Sequence, residues 1–164
     1  MTEAKYKIYM DVCCFNRPFD DLTQERIRLE AEAVSLILER CQADEWVLVG
    51  SRILDAEVRK TPDRDRRQAI AAAMAIIKTK IEVDDTITHR AQEIMQLGFK
   101  PYDALHITCA EIAKADVMLT TDDRLLRRAL RFSNVLQVLV ENPVIWLMNV
   151  TQAGENDEND TERN

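Results

Sequence analysis

Glycine is scarce in this chain of 164 residues: only Gly50, Gly98 and Gly154 occur. A Walker A loop or a G-x-G-x-x-G fingerprint needs several glycines within a few residues, so P-loop ATPases and Rossmann dehydrogenases are excluded. The G-x-S-x-G nucleophile elbow is missing as well. No apolar run approaches the roughly 18–20 residues that span a bilayer. The polar start, Met1 to Lys7, holds no signal-peptide core. The expected location is therefore the cytoplasm, with no membrane partner. Cys13, Cys14, Cys41 and Cys109 include no C-x-x-C pair, and only two histidines are present. That spacing argues against zinc and for free, buried thiols.

A strong positive charge is also lacking. The formal net charge is −7, of which the segment 155–164, with five acids against one base, carries −4 and the remainder −3. The body is mildly acidic and is no basic nucleic-acid-binding module of the usual kind. RNA binding here would need local basic patches, helped by bound metal ions. The length suits one domain with a real core and is too short for two.

What is present is an alternation of strand and helix signals. Lys7 to Asp11 is a short β-type run ending on an acid, followed by a loop from Val12 to Asp21. Apolar residues at Ile27, Ala31, Val34, Ile37 and Cys41 predict a helix from about Thr23 to Cys41. Trp46 to Gly50 reads as a strand buried on both faces, and Ser51 as the cap of a helix to about Arg59. Thr61-Pro62 predicts a helix start with the proline at the first helical position. A short strand at Lys80–Val83 and a helix from Asp85 or Thr86, ended by Gly98, come next. Pro101 opens another helix, Asp116–Thr120 reads as a strand, Asp122–Arg131 as a helix and Val135–Val140 as a strand. Pro143–Val150 is a short apolar end expected on the sheet edge. These elements form one predicted domain, residues 1–150. The acidic tail 151–164 is predicted to be disordered, since apolar content has run out by Gly154. The alternation implies a parallel α/β sheet flanked by helices on both faces.

In such a sheet, ligands bind beyond the carboxyl ends of the strands. Asp11 ends the first strand, Asp122 and Asp123 follow a later one, and Asp103 lies in the first turn of a helix. Glu57, two turns into its helix, can reach the same rim; so can Asp55, but residues two apart on a helix point to nearly opposite sides, so only one faces the site. Clustered carboxylates repel one another, and a fold keeps them most readily when cations neutralise them. Oxygen ligands without cysteine or histidine suit Mg²⁺ or Mn²⁺. The chemistry such a centre supports is hydrolysis of a phosphodiester by metal-activated water. An aspartyl-phosphate phosphatase is the weaker reading, because Cys13 stands where its second Asp is expected.

Four segments then resemble the PIN-domain family. Ile8-Tyr-Met-Asp11 resembles its first motif and Ser51-Arg-Ile-Leu-Asp-Ala-Glu57-Val its second. Pro101-Tyr-Asp103-Ala-Leu-His106-Ile resembles the third, and Leu119-Thr-Thr-Asp122-Asp-Arg-Leu-Leu the fourth. The match runs from Lys7 to about Val150 and implies a three-layer α/β/α fold with metal-dependent endoribonuclease activity. It assigns catalytic roles to Asp11, Glu57, Asp103 and Asp122, with Asp11, Asp103 and Asp122 holding metal. Glu57 is preferred over Asp55, and Asp122 over Asp123, which is left a supporting role. It also brings VapC-type toxins of toxin–antitoxin pairs into view, and with them an antitoxin partner and a homodimer. Where the family more often has Ser or Thr after its first Asp, this chain has Cys13 as a weak substitute. That departure supports the alternative of a catalytically weak PIN-fold RNA-binding module. Thr120 and Thr121 are candidates for orienting water or phosphate, with helix capping as an equal alternative. Arg124 is the candidate RNA contact. His106 reads as a packed, hydrogen-bonded structural histidine in preference to a general base.

Overall fold

The computed structural model describes residues 5–161. Five parallel strands form one sheet: β1 (Lys7–Met10), β2 (Val47–Ser51), β3 (Thr79–Ile81), β4 (Val117–Leu119) and β5 (Leu139–Glu141). Their spatial order is β3-β2-β1-β4-β5. The chain therefore steps outward from β1 to β3, crosses back, and continues from β4 to β5. The reversal falls between β1 and β4, paired in register from Ile8–Val117 to Met10–Leu119. A crevice opens beyond the carboxyl ends of strands at such a reversal. Ile8, Tyr9 and Met10 of β1 and Val117, Met118 and Leu119 of β4 are fully buried, as expected of central parallel strands covered on both faces.

The helices are α1 (Val12–Asn16), α2 (Glu25–Gln42), α3 (Arg52–Arg59), α4 (Arg64–Met74), α5 (Asp85–Gln96), α6 (Pro101–Ile112), α7 (Asp123–Arg131) and α8 (Pro143–Thr161). Together with the sheet they make the three-layer α/β/α arrangement expected from the alternation. Asp11, Ser51, Asp63, Asp84 and Asp122 each cap a helix by accepting a backbone N–H. Gly98 follows α5 at φ +99°, a conformation that costs glycine nothing and an L side chain a good deal.

Several expectations need correction. The segment after Asp11 is α1 followed by a 3₁₀ turn at Arg17–Phe19, where a loop was expected. Five residues are too few to show a period, and the cap at Asp11 starts the turn. Pro62 lies outside α4, because Asp63 accepts from Arg66 N at 2.8 Å and takes the cap position itself. The last strand is shorter and later than predicted, at Leu139–Glu141. The final helix runs through Gly154 as far as Thr161, into the segment expected to lack structure. Extending an existing helix costs far less than starting one, and the apolar turn from Pro143 supplies the start.

That turn does not pack on a sheet edge either. Trp146 meets Trp46 and Tyr6 edge-on, at centroid distances of 5.1 and 5.5 Å. Tyr6 and Trp46 immediately precede β1 and β2, so α8 is anchored at the amino end of the central strands, beside α2 and opposite the crevice. Large-to-small substitution of a buried tryptophan removes about 3–5 kcal/mol. We expect Trp146→Ala to lower unfolding free energy by about 3 kcal/mol, read by urea denaturation. A loss below about 1 kcal/mol would show that α8 has no anchor there.

Candidate metal centre

Asp11 continues the line of β1 into the crevice. Its N–H still bonds Leu119 O at 2.9 Å, so the residue is fixed to β4 as firmly as the strand is. Its carboxylate is buried. One oxygen, Oδ1, accepts from Val12 N at 2.8 Å; the other, Oδ2, accepts from Thr120 Oγ1 at 3.0 Å and lies 3.5 Å from Cys13 Sγ. Thr120 Oγ1 also accepts from Asp122 N at 3.2 Å, and Thr121 N donates to Cys13 Sγ at 3.3 Å. The end of β4 thus supplies a hydroxyl to Asp11. Sequence reading placed Thr120 among candidates for water or phosphate and did not foresee this bond, because the register that joins residues 109 apart is set only by the sheet.

Glu57 and Asp55 separate clearly. Asp55 pairs with Lys80 at 3.1 Å and Arg52 at 3.4 Å on the outer side of α3. Glu57 turns inward, where a carboxylate oxygen takes a hydrogen bond from His106 Nε2. One ligand atom each from Asp11, Glu57 and His106 lies within 4.8 Å of the other two. His106 is buried and its Nδ1 is 2.6 Å from Tyr9 Oη, which is 2.7 Å from Ser51 Oγ. Both imidazole nitrogens are thereby engaged, as a packed, hydrogen-bonded histidine requires. Tyr9 and Ser51 are site residues the sequence reading missed. The signal was there for Tyr9: two residues before Asp11 on a strand, it shares that residue's face.

Asp103 and Asp122 complete the acid group on the other side. They share a cavity of about 380 Å³ with Lys100, Arg124 and Arg127. Burial, then the neighbouring Asp11 and Asp122 charges, push the Asp103 carboxyl up to about 6, against smaller opposing effects of His106 and Lys100. Burial also raises Asp11, helped by Glu57 and opposed by His106 and its hydrogen bonds. Asp122 uses Oδ1 to cap α7, accepting from Arg124 N and Leu125 N at 2.9 and 3.3 Å. Asp123, expected in support, is turned away into a two-point pair with Arg26 of α2, both contacts 2.7 Å. Among the described residues, no Lys or Arg forms an ion pair with Asp11, Asp103, Asp122 or Glu57. A larger cavity, about 570 Å³, lies elsewhere, between Leu29, Leu126, Val144 and Ile145. The acids, rather than cavity size, mark the site.

A family model for the PIN domain matches residues 29–130, more than half of the chain, and the protein belongs to the PIN-domain family. Among solved structures it is similar to VapBC2 from Rickettsia felis bound to a DNA fragment from their promoter. That match is 15% identical, with a TM-score of 0.53, and covers 83% of this chain and 98% of the other. At such identity the likeness is one of fold. No curated protein matches the sequence.

The raised carboxyls set a pH dependence whose sign can be worked out. An Asp near 3.9 when unfolded and near 6 when folded binds more protons in the folded state between those values. Unfolding then releases protons, and stability falls as pH rises through about 4 to 6. In metal-free protein we expect Asp103→Asn to flatten this fall. At pH 7 it raises stability by about 1 kcal/mol, a figure reduced for the partial exposure of Asp103. Thermal melts across pH 4–8 with chelator present check it. Identical pH profiles for wild type and variant would remove Asp103 from the repelling group.

Proposed function

We propose that this protein is a Mg²⁺- or Mn²⁺-dependent endoribonuclease, with Asp11, Asp103 and Asp122 holding the metal and Glu57 completing the catalytic acids. The observation that carries the reading is the gathering of acids at the β1/β4 reversal with no Lys or Arg paired to them among the described residues. Buried carboxylates with raised pKa values are uncompensated charge, and a divalent cation relieves it. The donor set fits: the acids offer oxygen, and His106 has both nitrogens occupied. Bound there, such a cation supplies water activation and charge stabilisation at a phosphoryl oxygen. The protein's own part is positional. Thr120 and Val12 N–H hold the Asp11 carboxylate, His106 holds that of Glu57, and the α7 cap leaves Asp122 Oδ2 without a backbone donor.

Arginines beside the acids support a polyanionic substrate. Lys100, Arg124 and Arg127 line the cavity of Asp103 and Asp122, with Arg128 and Arg131 further along α7. Arg124, Arg127 and Arg131 are exposed and form no ion pair with a carboxylate among the described residues. Their chemistry suits phosphates of a single strand passing the acids. Family membership favours RNA as that strand. The likeness to VapBC2 supports the finer expectation of a VapC-type toxin with an antitoxin partner, and a homodimer belongs to the same reading. The alternative of a catalytically weak or inactive RNA-binding or interaction module rested on the absent hydroxyl after Asp11 and on the mildly acidic body; Thr120 weakens the first support by supplying a hydroxyl to that carboxylate.

A mixed RNA pool incubated with Mn²⁺ or Mg²⁺ tests this. We expect cleavage by wild type and a loss of at least about 100-fold in Asp11→Asn and Asp103→Asn. Equal cleavage by all three proteins would overturn the carboxylate site. Arg124→Ala with Arg127→Ala should weaken RNA binding and lessen its salt dependence by about 1.4 in log–log slope, since each strand phosphate contributes about 0.7. An unchanged slope would remove α7 from the RNA path.

A further inference from the structure

We propose that His106 is a positioning residue, held by Tyr9, that fixes the Glu57 carboxylate against Asp11 while its own imidazole stays outside the metal's ligand set. The inference rests on the metal-site reading above and adds to it the device that sets the site's geometry.

The hydrogen bonds form one continuous chain from Ser51 to Glu57. Ser51 Oγ accepts from Leu54 N at 3.2 Å, as the cap of α3. It lies 2.7 Å from Tyr9 Oη, which lies 2.6 Å from His106 Nδ1, and His106 Nε2 meets Glu57. A carboxylate only accepts, so Nε2 carries a hydrogen. On a neutral ring Nδ1 is then an acceptor, and the only hydrogen available to it is that of Tyr9. The Tyr9 oxygen in turn accepts from Ser51. With Nε2 donating to Glu57 every member can be satisfied, and no buried side-chain polar atom among the described residues lacks a partner. Because Nε2 bears hydrogen, it presents no lone pair to a cation, even though it lies within 4.8 Å of the Asp11 and Glu57 oxygens.

The chain of bonds crosses the core. Ser51, Tyr9 and His106 are each at most 1% exposed, and come from the end of β2, from β1 and from α6. Three buried polar side chains from three elements converge on one carboxylate at the rim. A packing role alone would be met by Phe at position 9, without the demand for a fully paired polar network. Tyr9 also lies on the same strand as Asp11, two residues away. The relay therefore references Glu57, on α3, to the strand that carries Asp11. A carboxylate oxygen of Glu57 within 4.8 Å of Asp11 can reach a cation held there, and partners that orient such a group typically change metal affinity 10–100-fold when removed.

Mn²⁺ affinity of the full chain, measured by calorimetry for wild type, Tyr9→Phe, His106→Gln and His106→Ala, tests the relay, with thermal melts confirming folding. We expect His106→Ala to bind Mn²⁺ about 10–100-fold more weakly. Tyr9→Phe, which removes a single oxygen, falls between it and wild type. His106→Gln, whose amide N–H can still reach Glu57, recovers most of the loss, which a general packing defect would not allow. Pulsed EPR of the wild-type Mn²⁺ complex should show no directly coordinated nitrogen. Equal affinity in all four proteins, or a coordinated nitrogen, overturns the relay and leaves the metal site standing. A wild type that binds no Mn²⁺ overturns the metal-site reading and the relay with it.

Discussion

Burial of Asp11 beside other acids is the constraint on which the rest depends. The carboxylate ends a strand with no exposed residue among its last three, so it cannot swing out into water. Neutral hydrogen bonds from Thr120 and Val12 N–H hold it, and these offset only part of the desolvation, since its pKa still lies above the ordinary range. Asp103 and Asp122 add repulsion across the same crevice. The fold accepts this at one rim because the central strands behind it, β1 from Ile8 onward and β4, are apolar, buried and paired along their length. The free energy left uncompensated there is available to a cation. Site and stability are therefore opposed locally, as buried like charges require.

The architecture keeps that conflict away from the parts that hold the domain together. At the amino end of the central strands, Tyr6, Trp46 and Trp146 form an aromatic cluster that fastens α8. At the carboxyl end, the acids face the crevice. Glu30 shows how differently a buried acid is treated when its role is structural. It too is buried, but Arg17 at 3.1 Å, Arg26 at 3.5 Å and Asn142 at 2.6 Å surround it, and they tie α2 to the approach of α8. Asp11 has no such escort. The two buried carboxylates contrast, one paired with arginines and one held by neutral donors near other acids, and that contrast is the physical ground for the role proposed for Asp11.

The sequence carried much of this and failed where contacts are non-local. Alternation of strand and helix signals was enough for the parallel sheet, and the acids at strand ends for the rim. The spacing argument that only one of Asp55 and Glu57 faces inward is matched by their opposite partners, Lys80 and His106. By contrast, Thr120 reaches Asp11 across 109 residues of chain, and nothing local announces it. Asp123 was given a supporting role beside Asp122 because the two are adjacent; only the placement of α2 shows that Arg26 claims it. The tail was misjudged for a different reason. Composition measures whether a segment can bury apolar surface, and a helix continued from an anchored turn needs none. Tyr9 drew no separate role within the β-type run Lys7–Asp11, because its hydroxyl matters only through His106.

An acidic protein reading a polyanion is a contradiction only if charge is averaged over the whole surface. At physiological salt, exposed charges more than about 8 Å apart are largely screened, so what a phosphate meets is its immediate surroundings. Near the acids those surroundings are Lys100, Arg124 and Arg127, whereas five of the acids lie in 155–164, on the last turns of α8 and beyond. The same locality fixes what the two kinds of charge can do. Arginines along α7 attract any phosphate chain and carry little selectivity. If the rim holds a cation as proposed, the carboxylates repel a phosphate chain until that cation intervenes, and engagement there is conditional on metal. A strand drawn by α7 can be brought to Asp103 and Asp122 only when their charge is neutralised. Under the proposed function, metal occupancy would then govern close approach of the substrate as well as its chemistry.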